Sequence, residues 1–535
     1  MARSQPYTVA CDGGLVKSAN QIDLLKSPGV ARELRNFEVS IEGGYRRING
    51  FTKFGGGSAV QPTGGATNIL GVIPYGDGVV ACAGTGIFFS QDGTSWTNIS
   101  RSSVASSGDN HTAFTGRSTL TRTGQGQVSF AIFEGATFDY GILIICDGAN
   151  EPYFFRMEGT GAFTSRTFFS GEIDPTHGSN KFATHGVIHD KHLVVAGVED
   201  NLNTIFYSKT LDPTTFSGNG SGSITLEDQV VGIKSFRNEL FIFCENSIFK
   251  LQDINGTPVI IPVTKNVGCL SAYTIQEIAG DLIFLAPDGL RTIAGTARIG
   301  DVELGTVSKA IQPILTDLAE TINNFIVSSI VIREKSQYRL FYANTSLNKN
   351  QQRGIIGTLR PNGFQWSETR SLEVTEIGSG FNENGIEEYY HGDTDGYVYV
   401  HDSGNDFDGS NILARFGTPD YDYGDLGTLK TLHYMRVSAS SEGVVSPDVQ
   451  VRFDYGNTDT PQPPNLFDLG SINPPALFGE ALFNTNVFGG AESPMIRIPL
   501  QGSGNSNNFT IISDDTKAPY TINGFYIDFI PSGRR

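Results

Sequence analysis

From about residue 66 to residue 405 the chain repeats one pattern: a short apolar run, a turn, and a second apolar run. Examples of the runs are Ile142 to Cys146, Leu193 to Ala196, Leu240 to Cys244, Leu282 to Ala286 and Tyr338 to Tyr342. Each is rich in β-branched and aromatic residues and ends near Asp, Asn or Gly, which predicts strands. Between them stand Asp92-Gly93, Asp147-Gly148, Asn255-Gly256, Asp288-Gly289, Asn362-Gly363 and Asp395-Gly396, dipeptides that tolerate the positive φ of tight hairpins. The same strand, turn and strand unit recurs every few tens of residues. Such repetition predicts small radial sheets, each burying its faces on its neighbours, so the region reads as a β-propeller of six or seven irregular blades.

Helical periodicity is scarce. Ile311, Ile314, Leu315, Leu318 and Ile322 form one apolar stripe over 308–322, with Ser308 and Pro313 near its start. A second short helix is expected from Ser27-Pro28 to Asn36. Beyond Gly427 the strands lengthen and alternate strictly, over 428–455 and 495–530, which predicts a β-sandwich-like domain. Within it, 460–490 reads as one long loop carrying Leu466-Phe467, Leu477-Phe478, Leu482-Phe483 and Val487-Phe488, suited equally to a contact surface and to loop packing. The expected organisation is an N-terminal arm and docking segment over 1–54, a propeller over 55–427 and a sandwich-like domain over 428–535: an all-β protein with very little helix.

Composition sharpens this. Glycine makes up 64 of 535 residues, a turn-rich excess without collagen periodicity, and aromatics are too plentiful for disorder. Five cysteines, an odd number with no Cys-x-x-Cys pair, read as small buried residues of a chain assembled in a reducing cytoplasm. No run approaches the length of a membrane span. The formal net charge of −18 opposes tight binding to nucleic acid, which depends on Lys and Arg displacing counterions. Charge is also uneven. Residues 1–54 hold eight Lys and Arg against five acids, a net of +3, whereas 373–425 hold thirteen acids and only Arg415, a net of −12.

Candidate chemistry is sparse. Ser90 to Trp96 (SQDGTSW) resembles an Asp-box, a structural turn on the rim of sialidase-type propellers, and one copy does not indicate sugar cleavage. Glu387, Glu388, Tyr389 and Tyr390 alternate in direction on a strand, so at most one Glu and one Tyr share a face. The loops at Asp393 to Gly396 and Asp402 to Gly409 place carboxylates as calcium loops do but lack the glutamate of an EF-hand, and exposed Asx turns are the simpler reading. His185, His189 and His192 cluster without partner ligands. No nucleophile elbow, Walker loop or metalloprotease motif occurs. No enzyme, cofactor or metal is expected.

Five segments carry a resemblance. They are Gly13 to Gly55, containing Gly43-Gly44-Tyr45-Arg46-Arg47 and Gly50-Phe51; Asn203 to Phe216; Ile224 to Leu251; Asp281 to Leu315; and Gly524 to Arg535. Taken in order, they resemble the tail nozzle of short-tailed bacteriophages, also called tail hub or packaged-DNA stabilisation protein. The resemblance implies a propeller-containing subunit of a homo-hexameric ring below the portal and adaptor, in a virion tail, which extends and closes the DNA channel and conducts the genome during ejection. Partners would be the adaptor, tail fibre or needle proteins, and double-stranded DNA passing without specific binding. Within that picture Asp393, Asp395, Asp402, Asp406 and Asp408 are candidate channel-lining acids, against the alternative of a solvated rim. Tyr45, Arg46, Arg47 and Phe51 are candidate adaptor-docking anchors, since Arg and aromatics dominate interfaces. The alternative is a carbohydrate-binding or glycan-hydrolysing propeller with an arginine-containing pocket at its axis.

Overall fold

The computed structural model describes residues 4–60, 68–99 except 85, 126–134, 140–159, 161, 167–176, 182–294, 306–382, 385–463, 466–472 and 495–534. It is a six-bladed β-propeller joined to a two-sheet sandwich. Blades A to D are built from consecutive antiparallel strands: 69–98, 129–172, 185–225 and 230–264. A three-stranded sheet, 276–292, follows D. Blade E is 326–370, and blade F consists of Glu376–Phe381, Glu387–Gly392 and Val398–His401 with Phe51–Lys53 as its fourth strand. The Phe51 strand pairs antiparallel with Val398–His401, so the ring closes between segments from opposite halves of the chain.

The apolar runs form the strands expected. Ile142–Cys146 is a strand with all five residues buried, and His192–Ala196, Glu239–Cys244, Asp281–Ala286 and Gln337–Ala343 contain the others. Such runs are buried on both sides because each blade is packed between two others. Separate apolar clusters fill the gaps: Val80, Phe89, Leu143 and Phe155 between A and B; Ile144, Cys146, Leu193 and Val195 between B and C; Ala196, Ile205, Leu240 and Ile242 between C and D. All five cysteines are buried thiols outside any disulfide.

The sandwich recruits both ends of the chain. One sheet runs Phe37–Val39, Tyr45–Arg47, Tyr520–Arg534, Thr428–Ser441 and Met495–Pro499, with Gln5–Ala10 also paired to Tyr520–Arg534. The other is a nine-stranded sheet that begins as blade E and passes without a break through Glu33–Arg35, Ile412–Gly417, Asn507–Asp515, Asp448–Phe453 and Phe467–Asp468. Leu34, Phe416, Val449 and Ile511 from this sheet meet Val9, Met435, Val437, Phe525 and Ile527 from the first in one core.

Three expectations need correction. Residues 1–54 are not a separate arm, because their strands complete the sandwich and blade F. The propeller strands end at His401, and Ile412–Gly417 already belongs to the sandwich sheet. The 27–36 helix is replaced by a four-residue helix at Gln21–Leu24, capped by the Asn20 side chain, and the strand Glu33–Arg35, whose alternating Leu34 is needed in the core. The later helix lies at Gln312–Thr321, with Pro313 in its first turn and Leu315 and Leu318 buried. Of the phenylalanine-punctuated loop, only the Leu466-Phe467 pair falls within the described residues.

Arg339, 2% exposed, ties these parts together. Its guanidinium donates to Glu38 at 2.9 Å and to Asp402 at 3.1 Å, while Lys335 lies 3.2 Å from Glu38 and 2.7 Å from Asp402, and Arg46 lies 2.8 Å from Glu38. The neighbouring His401 is kept neutral, its pKa pushed well down by burial and by His391 and Arg339, so its Nε2 can accept from Arg339 at 3.2 Å. Replacing one member of such a buried set strands the rest at a cost of about 3 to 5 kcal/mol. Arg339→Leu is therefore expected to lower the urea midpoint far more than Lys26→Leu, a variant of an exposed pair. Equal midpoints for the two variants would show the network to be energetically idle.

Candidate functional site

The inner strands converge on a cavity of about 230 Å³ at the propeller axis. Val72 and Ile73 come from blade A, Phe130 from B, His185 and Val187 from C, Lys234 from D, Ser329 from E and Glu376 to Ser379 from F. Ala272 to Gln276, leading into the three-stranded sheet, complete the wall. The close approach of F to A demands glycine at 378, where a Cβ would lie 2.1 Å from the Val72 carbonyl oxygen.

Glu376 is the distinctive group here. It is buried, and its carboxyl accepts from Gln127 Nε2 at 2.7 Å and Ser328 Oγ at 3.0 Å. Burial outweighs these bonds and pushes its pKa up to about 8. Burial likewise pushes His185 down to about 4 and lowers Lys234, whose charge is only partly supported by Glu277. Near neutral pH the cavity thus holds a protonated carboxyl and a neutral imidazole. Sequence reasoning missed Glu376, which was one acid among thirteen, and its partner Gln127, which lies 249 residues away.

The five candidate channel acids do not act together. Asp393 is 1% exposed and holds a turn, accepting from the Asp395 and Tyr397 N–H groups at 3.0 and 2.9 Å, Tyr399 O–H at 2.9 Å and Lys349 Nζ at 3.1 Å. Asp402 is locked to Arg339 and Lys335, which hold its carboxyl far below the usual range. Neither can face a channel. Asp395, Asp406 and Asp408 reach the surface, with Lys349 2.6 Å from Asp395 and Lys53 3.1 Å from Asp408, and Asp406 accepting from the Gly409 N–H at 2.7 Å. Elsewhere in the block, Arg333 pairs with Glu387 and Arg32 with Asp420. Part of the −12 of the sequence is thus offset in space by cations from elsewhere in the chain. Among the described residues no group of three or more His, Cys, Asp and Glu side chains is placed to hold a metal ion.

The candidate docking anchors are structural as well. Tyr45 is fully buried, donating to the Gly29 carbonyl at 2.7 Å and accepting from the Gly14 N–H at 3.1 Å. Arg47, also fully buried, donates to the carbonyls of Asp515 at 2.7 Å and Asn405 at 3.2 Å. Arg46 bridges Glu38 and Glu442, and Phe51 stacks on Phe407 with ring centroids 5.0 Å apart. Tyr45, Arg47 and Phe51 are thus buried within the fold, and Arg46 keeps a small exposed fraction. The Asp-box turn also has a packing role, since Asp92 Oδ1 accepts from the Thr94 N–H at 2.9 Å and Trp96 meets Phe54.

No family model and no curated protein matches the chain. Solved structures resemble it weakly. The extracellular domain of a putative one-component system from B. thetaiotaomicron is 10% identical, with a TM-score of 0.35 over 68% of this chain and 41% of its own. An exo-β-1,3-galactanase from Phanerochaete chrysosporium is 9% identical, with a TM-score of 0.27 over 90% of this chain and 100% of its own. The Pan2 WD40 domain of Neurospora crassa is 7% identical, with a TM-score of 0.26 over 62% and 74% of the two chains. At these values none of them fixes a family or an activity.

The raised pKa of Glu376 has a stability consequence with a definite sign. Between the ordinary carboxyl value of about 4.3 and its folded value of about 8, the folded chain keeps a proton that the unfolded chain releases. This contribution is complete below the ordinary value and is lost as pH rises towards 8. Glu376→Gln, which mimics the protonated form, is therefore expected to lose less Tm than the parent between pH 5 and pH 8. Parallel Tm profiles for the two proteins would contradict a buried, protonated Glu376.

Proposed function

We propose that this chain is a ring-forming subunit of a short bacteriophage tail, the nozzle that carries and closes the DNA channel. The observation that carries the reading is where the resembling segments lie. The Gly43 to Phe51 segment runs from the sandwich sheet, where Tyr45 pairs with Ile522 and Arg46 with Thr521, into blade F at Phe51, and the Gly524 to Arg535 segment supplies most of the sandwich strand that pairs with Gln5–Ala10 and Thr428–Ser441. The Asp281 to Leu315 segment supplies two strands of the three-stranded sheet and the start of the helix packed on the same core. Three of the five segments thus lie in or against the sandwich core where it meets the propeller, with the other two in blades C and D; that junction sets the angle between the two lobes, the property a subunit must hold fixed if identical copies are to close a ring.

Two further features suit the role. A cavity of about 230 Å³ is far too small to admit a duplex, so DNA would have to pass between copies and not along the axis of one propeller. The net charge of −18 also disfavours phosphate contacts that would slow a sliding polyanion.

Negative-stain microscopy of the purified full chain, with its mass measured by light scattering, tests the proposal. Six-fold rings, or stacks of them, are expected at micromolar concentration or on addition of the adaptor. Persistent monomers that light up a glycan array would overturn the reading in favour of a carbohydrate-binding propeller.

A further inference from the structure

A charged concavity lies away from the axis, where blade E becomes the sandwich. Its volume is about 670 Å³, within the range of small-molecule sites. Six cations line it: Lys17, Arg32, Arg35, Arg353, Arg370 and Arg452. Only two carboxylates, Glu33 and Glu368, join them on the wall. In a chain with an excess of eighteen acids this is a local reversal of sign.

The pairing register explains how residues so distant in sequence meet. Arg353 stands opposite Arg370 on neighbouring strands, Arg35 is in register with both Glu368 and Arg415, and Arg452 is opposite Asn508. All project from one face of the continuous nine-stranded sheet, whose other face in the sandwich, through Leu34, Phe416 and Ile511, is core. Like charges directly opposite across a ladder are destabilising. Nor is the internal compensation complete. Arg370 reaches Glu368 only at 4.0 Å, and Arg353 and Arg452 have no ion-pair partner among the described residues. Arg35 Nε is buried without a hydrogen-bond partner, and the Arg35 pKa is lowered by burial and by Arg370.

We infer that this cavity is a binding site for a small polyanion bearing two or more oxyanion groups. Such a ligand would relieve the Arg353 and Arg370 repulsion, satisfy the orphaned Arg35 donor and exploit the fork geometry of guanidinium, which holds carboxylate and phosphate in bidentate fashion. Phosphate and carboxylate share that chemistry. The site is independent of whether copies of the chain form a ring.

Calorimetric titration of the purified full chain with inorganic tripolyphosphate, and separately with citrate, tests the proposal against sodium chloride at matched ionic strength. Saturable binding of one anion per chain is expected, and the anion that binds more tightly identifies the oxyanion class. Arg353→Gln/Arg452→Gln, both exposed positions, should weaken binding at least tenfold while circular dichroism stays unchanged. Arg436→Gln/Arg497→Gln, a pair of arginines stacked on Tyr434 elsewhere on the sandwich, should not. No binding beyond the chloride control, or equal losses in both double variants, would overturn the site.

Discussion

The buried junction around Arg339 is the constraint on which the architecture depends. Two carboxylates, Glu38 and Asp402, and three cations, Lys335, Arg339 and Arg46, come from the N-terminal segment, blade E and the end of blade F. Desolvating such groups separately is unfavourable, so each is tolerated inside only when the others arrive in register. The network therefore acts as a check on assembly. A hydrophobic substitute of similar volume could supply as much stability, but it would not distinguish the correct strand order from a slipped one.

Around that junction, sheet continuity does what a linker does in ordinary two-domain proteins. Blade E and half of the sandwich are one hydrogen-bonded sheet, and their apolar residues form a single core with the helix at Gln312–Thr321. Hinge motion between the lobes would have to break ladder bonds and expose that core. The lobes consequently behave as one body, with Tyr45 and Arg47 wedged at their seam. The arginine-lined cavity sits on the face of the same sheet, so Arg35, Arg353, Arg370 and Arg452 on its wall are held by the backbone ladder.

The sequence read most clearly where structure is local. Hairpins such as Leu193–Ala196 with its neighbours are contiguous, and their β-branched runs and Asp-Gly turns marked strands that the fold indeed contains. Radial packing was also legible, because runs apolar on both faces need a neighbour on each side. What could not be read was pairing over distance. Glu33–Arg35 looks helical by itself, and only its partners near 368 and 415 make it a strand. The acidic block misled for the same reason: its compensating cations, among them Arg32, Lys53, Arg333 and Arg339, lie elsewhere in the sequence. Local net charge measured composition, whereas the surface field depends on which charges meet in space. Tyr45 and Arg47 are likewise spent inside the fold, on partners that only the pairing of distant strands brings to them.

The fourth strand of blade F also orders events in time. Blades A to D can each form as soon as their own strands leave the ribosome, whereas Phe51–Lys53 must wait for Val398–His401. Until then the start of the chain has an unsatisfied strand edge, and the last gap in the ring stays open. The entropy of closing so long a loop grows only logarithmically with its length, so waiting imposes a modest thermodynamic penalty. The delay is chiefly kinetic, and non-local pairing of this kind slows folding. Completion of the ring is thus a late step of folding, followed by the pairing of Gln5–Ala10 and Tyr45–Arg47 with Tyr520–Arg534, and a chain that had not finished folding would leave its closing strand free to pair with a neighbour.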